Sequence, residues 1–211
     1  MIVKYFEIHK INFKDQNIIL FYGKNNGLKN EISNKLVGNK NEVFNYDEKE
    51  VLENDYNFIE KLATGSLFEE EKIIIIKRAT DKILKIIEAI NSKNLGELII
   101  IINSDNLEKK SKLRSLFEKD KKLVCVPFYP DNEQTLSKLT YNFLRDKKIS
   151  ISPSNINLIV NKCSGDRETL INELHKIELF GKKGKQINSD NILKLINLSE
   201  NHNISELIDN C

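Results

Sequence analysis

The chain has 211 residues, of which 30% are charged and 40% apolar, with a formal net charge of +2. That length suits one large or two small domains, and the balance excludes a disordered chain. The small net charge does not by itself indicate a nucleic-acid binder, and the odd, widely spaced Cys125, Cys163 and Cys211 offer neither a disulfide framework nor metal-ligand spacing.

Residues 17–22 (NIILFY) read as a buried strand, and Gly23 begins a turn. Leu28, Ile32, Leu36 and Val37 then recur at helical spacing. A second strand is expected at 42–46 and a helix over 47–62. Ile73, Ile74, Ile75 and Ile76 form a β-branched run, so a third buried strand follows. Helix returns over 81–90, strand over 97–102, helix over 106–119 and strand over 123–126. Alternation of about five strands with helices predicts an α/β parallel sheet sandwiched by helices.

Beyond Pro130 the strand pattern ends. Asp131 is the expected N-cap of a helix to about 147, in the style of short polar caps. Ser152 with Pro153 starts a second helix, Arg167 a third after Gly165-Asp166, and Ser189 a fourth. The expected organisation is an α/β domain over 1–128, a small all-helical lid domain over 129–199, and over 200–211 the start of a further, truncated domain. The last stretch reads as the first turn of another amphipathic helix. The N-terminus has no signal-peptide pattern and no apolar run is long enough to span a membrane, which points to a reducing cytoplasm.

Gly23-Lys24-Asn25-Asn26-Gly27-Leu28-Lys29-Asn30 stands between strand and helix, where a phosphate-binding loop would sit. Against G-x-x-x-x-G-K-[ST], Gly23 and Lys29 fall in register. Leu28 replaces the second glycine and hinders close approach of phosphate to the backbone. Asn30 replaces the hydroxyl and is a poor Mg²⁺ ligand. The strand over 97–102 leads into Asn103-Ser104-Asp105, with no Asp-Glu pair for metal and water. Two readings stand: an ordinary strand–turn–helix in which Gly23 and Gly27 serve the turn, or a decayed phosphate loop that binds nucleotide weakly. Neither supports hydrolysis, and no cofactor or metal is implied. His9, His175 and His202 are scattered.

A degenerate P-loop domain followed by a small helical domain resembles clamp-loader subunits of the AAA+ class, and several stretches are similar to the delta subunits of DNA polymerase III. These are Leu20-Phe21-Tyr22-Gly23-Lys24-Asn25-Asn26-Gly27-Leu28, Ser66-Leu67-Phe68, Asp105-Asn106-Leu107-Glu108-Lys109-Lys110-Ser111-Lys112-Leu113-Arg114, Phe128-Tyr129-Pro130-Asp131-Asn132-Glu133, and Gly165-Asp166-Arg167 with Glu173-Leu174-His175-Lys176-Ile177. The four-cysteine module and Ser-Arg-Cys finger of the paralogous loader subunits are missing from the sequence.

The resemblance implies a non-catalytic subunit that binds and opens the sliding clamp (beta) in DNA replication. It would act beside the tau/gamma and delta-prime subunits, with DNA contacts in the assembled loader and weak ones alone. Ser66, Leu67 and Phe68 would make the clamp contact, with Glu69-Glu70-Glu71 as a polar rim; a Leu-Phe pair at an element boundary also reads as a core staple. Arg167 lies where related ATPases place a nucleotide-sensing arginine, and without a working loop it reads as a structural ion pair. The basic stretch from Lys109 to Lys119 reads as a solvated helix face or as a neighbour of DNA phosphates. The rival readings are an active P-loop ATPase, a scaffold of the same fold, and a DNA-binding module.

Overall fold

The structure is a computed structural model that describes residues 1–38, 42–63, 72–93, 98–181 and 187–196. The chain divides into two compact units, Met1–Tyr129 and Pro130–Cys211.

In the first unit the apolar runs become strands β1 (Ile18–Tyr22), β2 (Glu42–Asp47), β3 (Lys72–Ala79), β4 (Ile99–Ser104) and β5 (Leu123–Pro127). Their order across the sheet is β2-β3-β4-β1-β5, and every pairing is parallel. Parallel neighbours cannot be joined by a tight hairpin, so each connection crosses a face through helix. Helices on both faces explain why β1 is apolar and buried at every position rather than alternating.

The strand pleat sends the sheet's side chains into two separate layers. Ile18, Leu20 and Tyr22 join Ile74, Ile76, Ile100 and Ile102 on one face. Among the described residues it is covered by α2 (Glu48–Glu53) through Val51, α3 (Asp55–Ala63) through Phe58, α4 (Leu84–Asn91) through Ile87, and α5 (Lys112–Lys119) through Phe117. Ile19 and Phe21 join Ile73, Ile75, Ile101 and Val126 on the other face. There α1 (Asn26–Val37) supplies Leu28 and Ile32, and the 3-10 turn Tyr5–Lys10 supplies Ile8. Each such side chain contributes about 1.5–3 kcal/mol when fully buried. Because β1 lies between β4 and β5 while its crossover leads to the far edge, its carboxyl end is a topological switch point, where open α/β sheets bind ligands.

Several elements depart from the sequence expectation. The helix expected over 47–62 is two, α2 and α3, with Asn54 between them. Asp47 caps α2 in a reciprocal box with Glu50, and the break falls at Asn54, whose backbone is non-helical at φ -132° and ψ 39°. The helix expected from 106 starts at Lys112. Ser111 caps it, and the Asp81 carboxylate accepts from Ser111 Oγ and from the amides of Lys112 and Leu113. An anion from another element thus takes the orphan donors of the first turn. β3 runs on to Ala79 through a bulge in which Arg78 has φ 58°.

The described residues of the second unit form α6 (Glu133–Asp146), α7 (Pro153–Lys162), α8 (Arg167–Gly181) and α9 (Ser189–Leu195). They enclose Leu136, Leu144, Ile159, Leu170, Leu174 and Ile192. Two caps fall one residue from the expected positions. Asn132, not Asp131, caps α6, because the Asp131 carboxylate is taken by Arg167. Asn188, not Ser189, caps α9, while the Ser189 hydroxyl donates to Asn155 Oδ1 at 2.8 Å and ties α9 to α7. Ser152 and Pro153 start α7 as expected. Among the described residues no helix is long and apolar enough to cross a membrane.

Candidate functional site

The carboxyl end of β1 and the start of α1 hold Gly23, Gly27, Leu28, Lys29 and Asn30 in one strand–turn–helix. The turn is closed on itself. Gly23 N–H donates to the Asp105 carbonyl at 3.1 Å, Asn25 N–H to the Phe128 carbonyl at 3.4 Å, and Asn26 N–H to Lys24 O at 3.0 Å. Asn25 is the N-cap of α1: its Oδ1 accepts from Leu28 N–H at 3.0 Å, while its Nδ2 donates to the Tyr129 carbonyl at 3.0 Å. Lys29 N–H completes the set by donating to Asn25 O at 3.0 Å. A phosphate cradle works by offering such amides to an anion. Here the amides of Gly23, Asn25, Asn26, Leu28 and Lys29 all donate to protein oxygens.

Leu28 enters the core beside Ile32 and Phe128, only 3% exposed. The sequence reading gave it a steric role at the loop; its packing makes it a core residue whose amide is capped by Asn25. Gly27 lies half-buried in the first turn of α1 and Asn30 is exposed on the helix surface.

Lys29 is 4% exposed, and its Nζ donates to the Ser104 carbonyl at 2.7 Å. The side chain therefore spans from α1 to the carboxyl end of β4. Burial pushes its pKa below the usual lysine value, and the negative charge of Asp105 opposes that shift. The folded protein consequently binds fewer protons than the unfolded chain between the lowered value and 10.5. Stability should rise with pH across that alkaline window, and the desolvation penalty is felt in full below it. Lys29→Met keeps the volume and removes the charge, so its unfolding free energy should lack that alkaline rise. Denaturant titrations of both proteins between about pH 8 and 10.5 check this, and parallel curves would count against a buried, charged Lys29.

An acidic pair is absent from the strand ends beside this turn. β4 leads through Asn103 and Ser104 to Asp105, and β3 ends in Lys77, Arg78 and Ala79. Arg78 is exposed and forms an ion pair with Asp47. Among the described residues no group of three or more His, Cys, Asp or Glu side chains could hold a metal ion.

Arg167 belongs to the second unit. It is 8% exposed, and its Nη1 lies 3.2 and 3.1 Å from the two Asp131 oxygens, themselves on a side chain 6% exposed. The guanidinium thus ties the start of α8 to the segment before α6. Ser66, Leu67 and Phe68 lie outside the described residues. Two participants escaped the sequence reading. Asn25 carried a legible signal, a short polar residue just before an apolar-periodic run; Ser104 carried none, because it acts through its carbonyl.

No protein-family model matches the sequence, and no match to a curated protein reaches significance. Solved structures do match. Domain III of the replication initiation protein DnaA from Thermotoga maritima aligns over 90% of this chain and 87% of its own, with TM-score 0.54 and 17% identity. The Thermotoga maritima RuvB Holliday junction branch migration motor aligns over 84% of this chain with TM-score 0.55 and 13% identity. This chain spans 60% of that RuvB chain. Identities so low show the fold alone: an AAA+-like α/β sandwich.

Proposed function

We propose that this chain is a non-catalytic clamp-loader subunit of the delta kind, which binds the sliding clamp and opens it during DNA replication. The observation that carries the non-catalytic part is the closed turn at the end of β1. The amides of Gly23, Asn25, Asn26, Leu28 and Lys29 donate to protein oxygens, and Lys29 Nζ is held on the Ser104 carbonyl 2.7 Å away. The AAA+-like fold is compatible with a loader subunit, and the resemblance of several segments to delta subunits selects among proteins of that fold. In this reading tau/gamma and delta-prime subunits are the assembly partners.

Leu67 and Phe68 act as apolar anchors in a pocket of the clamp, each contributing about 1.5–3 kcal/mol. Opening requires that the chain bind the open ring better than the closed one, since only differential affinity shifts an equilibrium. Surface plasmon resonance of the chain over immobilised clamp from its own source tests this. A folded Leu67→Ala/Phe68→Ala variant should bind at least about 100-fold more weakly, the result of losing both anchors. Equal binding by both proteins would displace the anchors, and no binding by either would remove the clamp reading.

A second reading, an active P-loop ATPase, draws on Gly23 and Lys29 standing in register on an AAA+-like sheet. Magnesium-dependent ATP turnover by the purified chain would favour it. The closed turn leads us to expect neither turnover nor a rise in melting temperature with ATP and Mg²⁺.

A further inference from the structure

An open groove of about 530 Å³ runs between α4 and α5, and its lining combines two kinds of chemistry. Leu84 and Leu116 are partly buried, pack on the sheet's core beneath and give the groove an apolar floor. Around them stand the exposed Lys109, Lys110, Lys112 and Lys119, with the carboxylates Glu88 and Asp120 among them. Lys110 pairs with Glu108 at 2.9 Å, whereas Lys109, Lys112 and Lys119 form no salt bridge among the described residues. Asp120 is already engaged, accepting from Asn91 Nδ2 at 2.9 Å and from Lys122 N–H at 2.8 Å.

We infer that this groove seats an acidic amphipathic helix of a protein partner, an interaction that goes beyond the clamp reading and does not depend on it. The unpaired ammonium groups call for carboxylates, and the leucine floor calls for apolar side chains. A phosphate backbone meets only the first demand. It carries a charge at every nucleotide, so part of it would face Glu88 and Asp120, and it brings nothing apolar to Leu84 and Leu116. A helix separates the two chemistries, with an apolar stripe turned inward and carboxylates along its flanks. The lengths agree as well. α4 and α5 have 8 residues each, so the groove takes about two turns of a third helix. Lys112 and Lys119, at the two ends of α5, stand about 10 Å apart along its axis. Carboxylates at i and i+7 of a helix lying alongside have the same spacing, which leaves apolar residues at i+3 and i+4 to meet the floor.

Anisotropy of two fluorescein-labelled peptides, titrated with the full chain at low salt, reads the proposal. The first, EELAELEEELAELEE, carries leucines on one helical stripe. The second, EEQAEQEEEQAEQEE, has the same charge and glutamine in place of every leucine. The leucine peptide should bind at least about 10-fold more tightly, because only it has side chains to bury on the floor. Lys112→Gln/Lys119→Gln should weaken its binding about 5-fold, through loss of two exposed ion pairs. Lys14→Gln/Lys162→Gln removes the same charge at exposed sites elsewhere and should bind as the natural chain does. Circular dichroism melts confirm that both variants fold; all four lysines are exposed, so both are expected to. Three outcomes overturn the proposal. One is no binding of the leucine peptide. Another is an equal loss in both double variants, which would make net charge the attraction. The last is equal binding of the two peptides, both displaced by a DNA duplex of about 20 base pairs, which would make the groove a site for any polyanion.

Discussion

Gly23→Ala is expected to cost about 2–6 kcal/mol, the sum of about 1–3 for a backbone conformation that disfavours a side chain and about 1–3 for crowding. Gly23 has φ 122°, and a Cβ built there would lie 2.2 Å from the Phe128 carbonyl oxygen and 2.9 Å from its carbon. Both neighbours are backbone, so no flexible side chain can swing away. The close approach arises because β1 and β5 pair in register to Tyr22 and Pro127, bringing Phe128 directly against the turn. Phe128 is anchored there by its own ring, which packs 4.9 Å from that of Phe21 between centroids. Gly165→Ala is the comparison: Gly165 has φ 80° but nothing within 4 Å of its built Cβ, so only the conformational cost of about 1–2 kcal/mol applies. Urea unfolding of the three proteins, followed by circular dichroism, checks the ranking. Alanine tolerated equally at both sites would mean that the exit of β1 is not packed against β5 as described. The result also bears on function, because it makes the first glycine of the loop a packing requirement whether or not any phosphate is bound.

Arg167→Met should destabilise the second unit by about 3–5 kcal/mol, and Asp131→Leu by a similar amount. Each leaves a charge in a place where both side chains are under one-tenth exposed. The double variant should recover most of the loss, because apolar side chains of similar volume replace a buried pair at little net cost. A double-mutant cycle by chemical denaturation measures the coupling, expected to be large and favourable. Additive losses would show that the two side chains act separately. If Arg167 instead reads a nucleotide, ATP should raise the melting temperature of the natural chain and not of Arg167→Met. The pairing with Asp131 leads us to expect no such difference.

The alternation of strand and helix was legible along the chain because burial on both faces of a parallel sheet demands unbroken apolar runs. Ile73 to Ile76 and the run preceding Asn103 announce themselves by composition alone. Where the helices start was less legible. Asp47, Asp81 and Asp131 are equally good caps by residue type, yet one caps its own helix, one serves α5 from another element, and one pairs with Arg167. A carboxylate's partner is chosen by what the fold brings near it, which a local window does not contain.

The candidate site divides in the same way. Residue types alone make the loop irregular: a leucine stands at a glycine position, an asparagine at a hydroxyl position, and no acidic pair follows β3 or β4. Those are facts of residue chemistry and need no coordinates. What the irregular loop does instead follows from long-range packing. Leu28 is a core side chain because α1 lies on the face that holds Phe21 and Phe128. Lys29 reaches Ser104 because β4 is inserted next to β1, although the two strands are separated by most of the unit in sequence. Strand order across a parallel sheet is set by which crossovers pack together, so a contact between the ends of β1, β4 and β5 is a property of the whole unit.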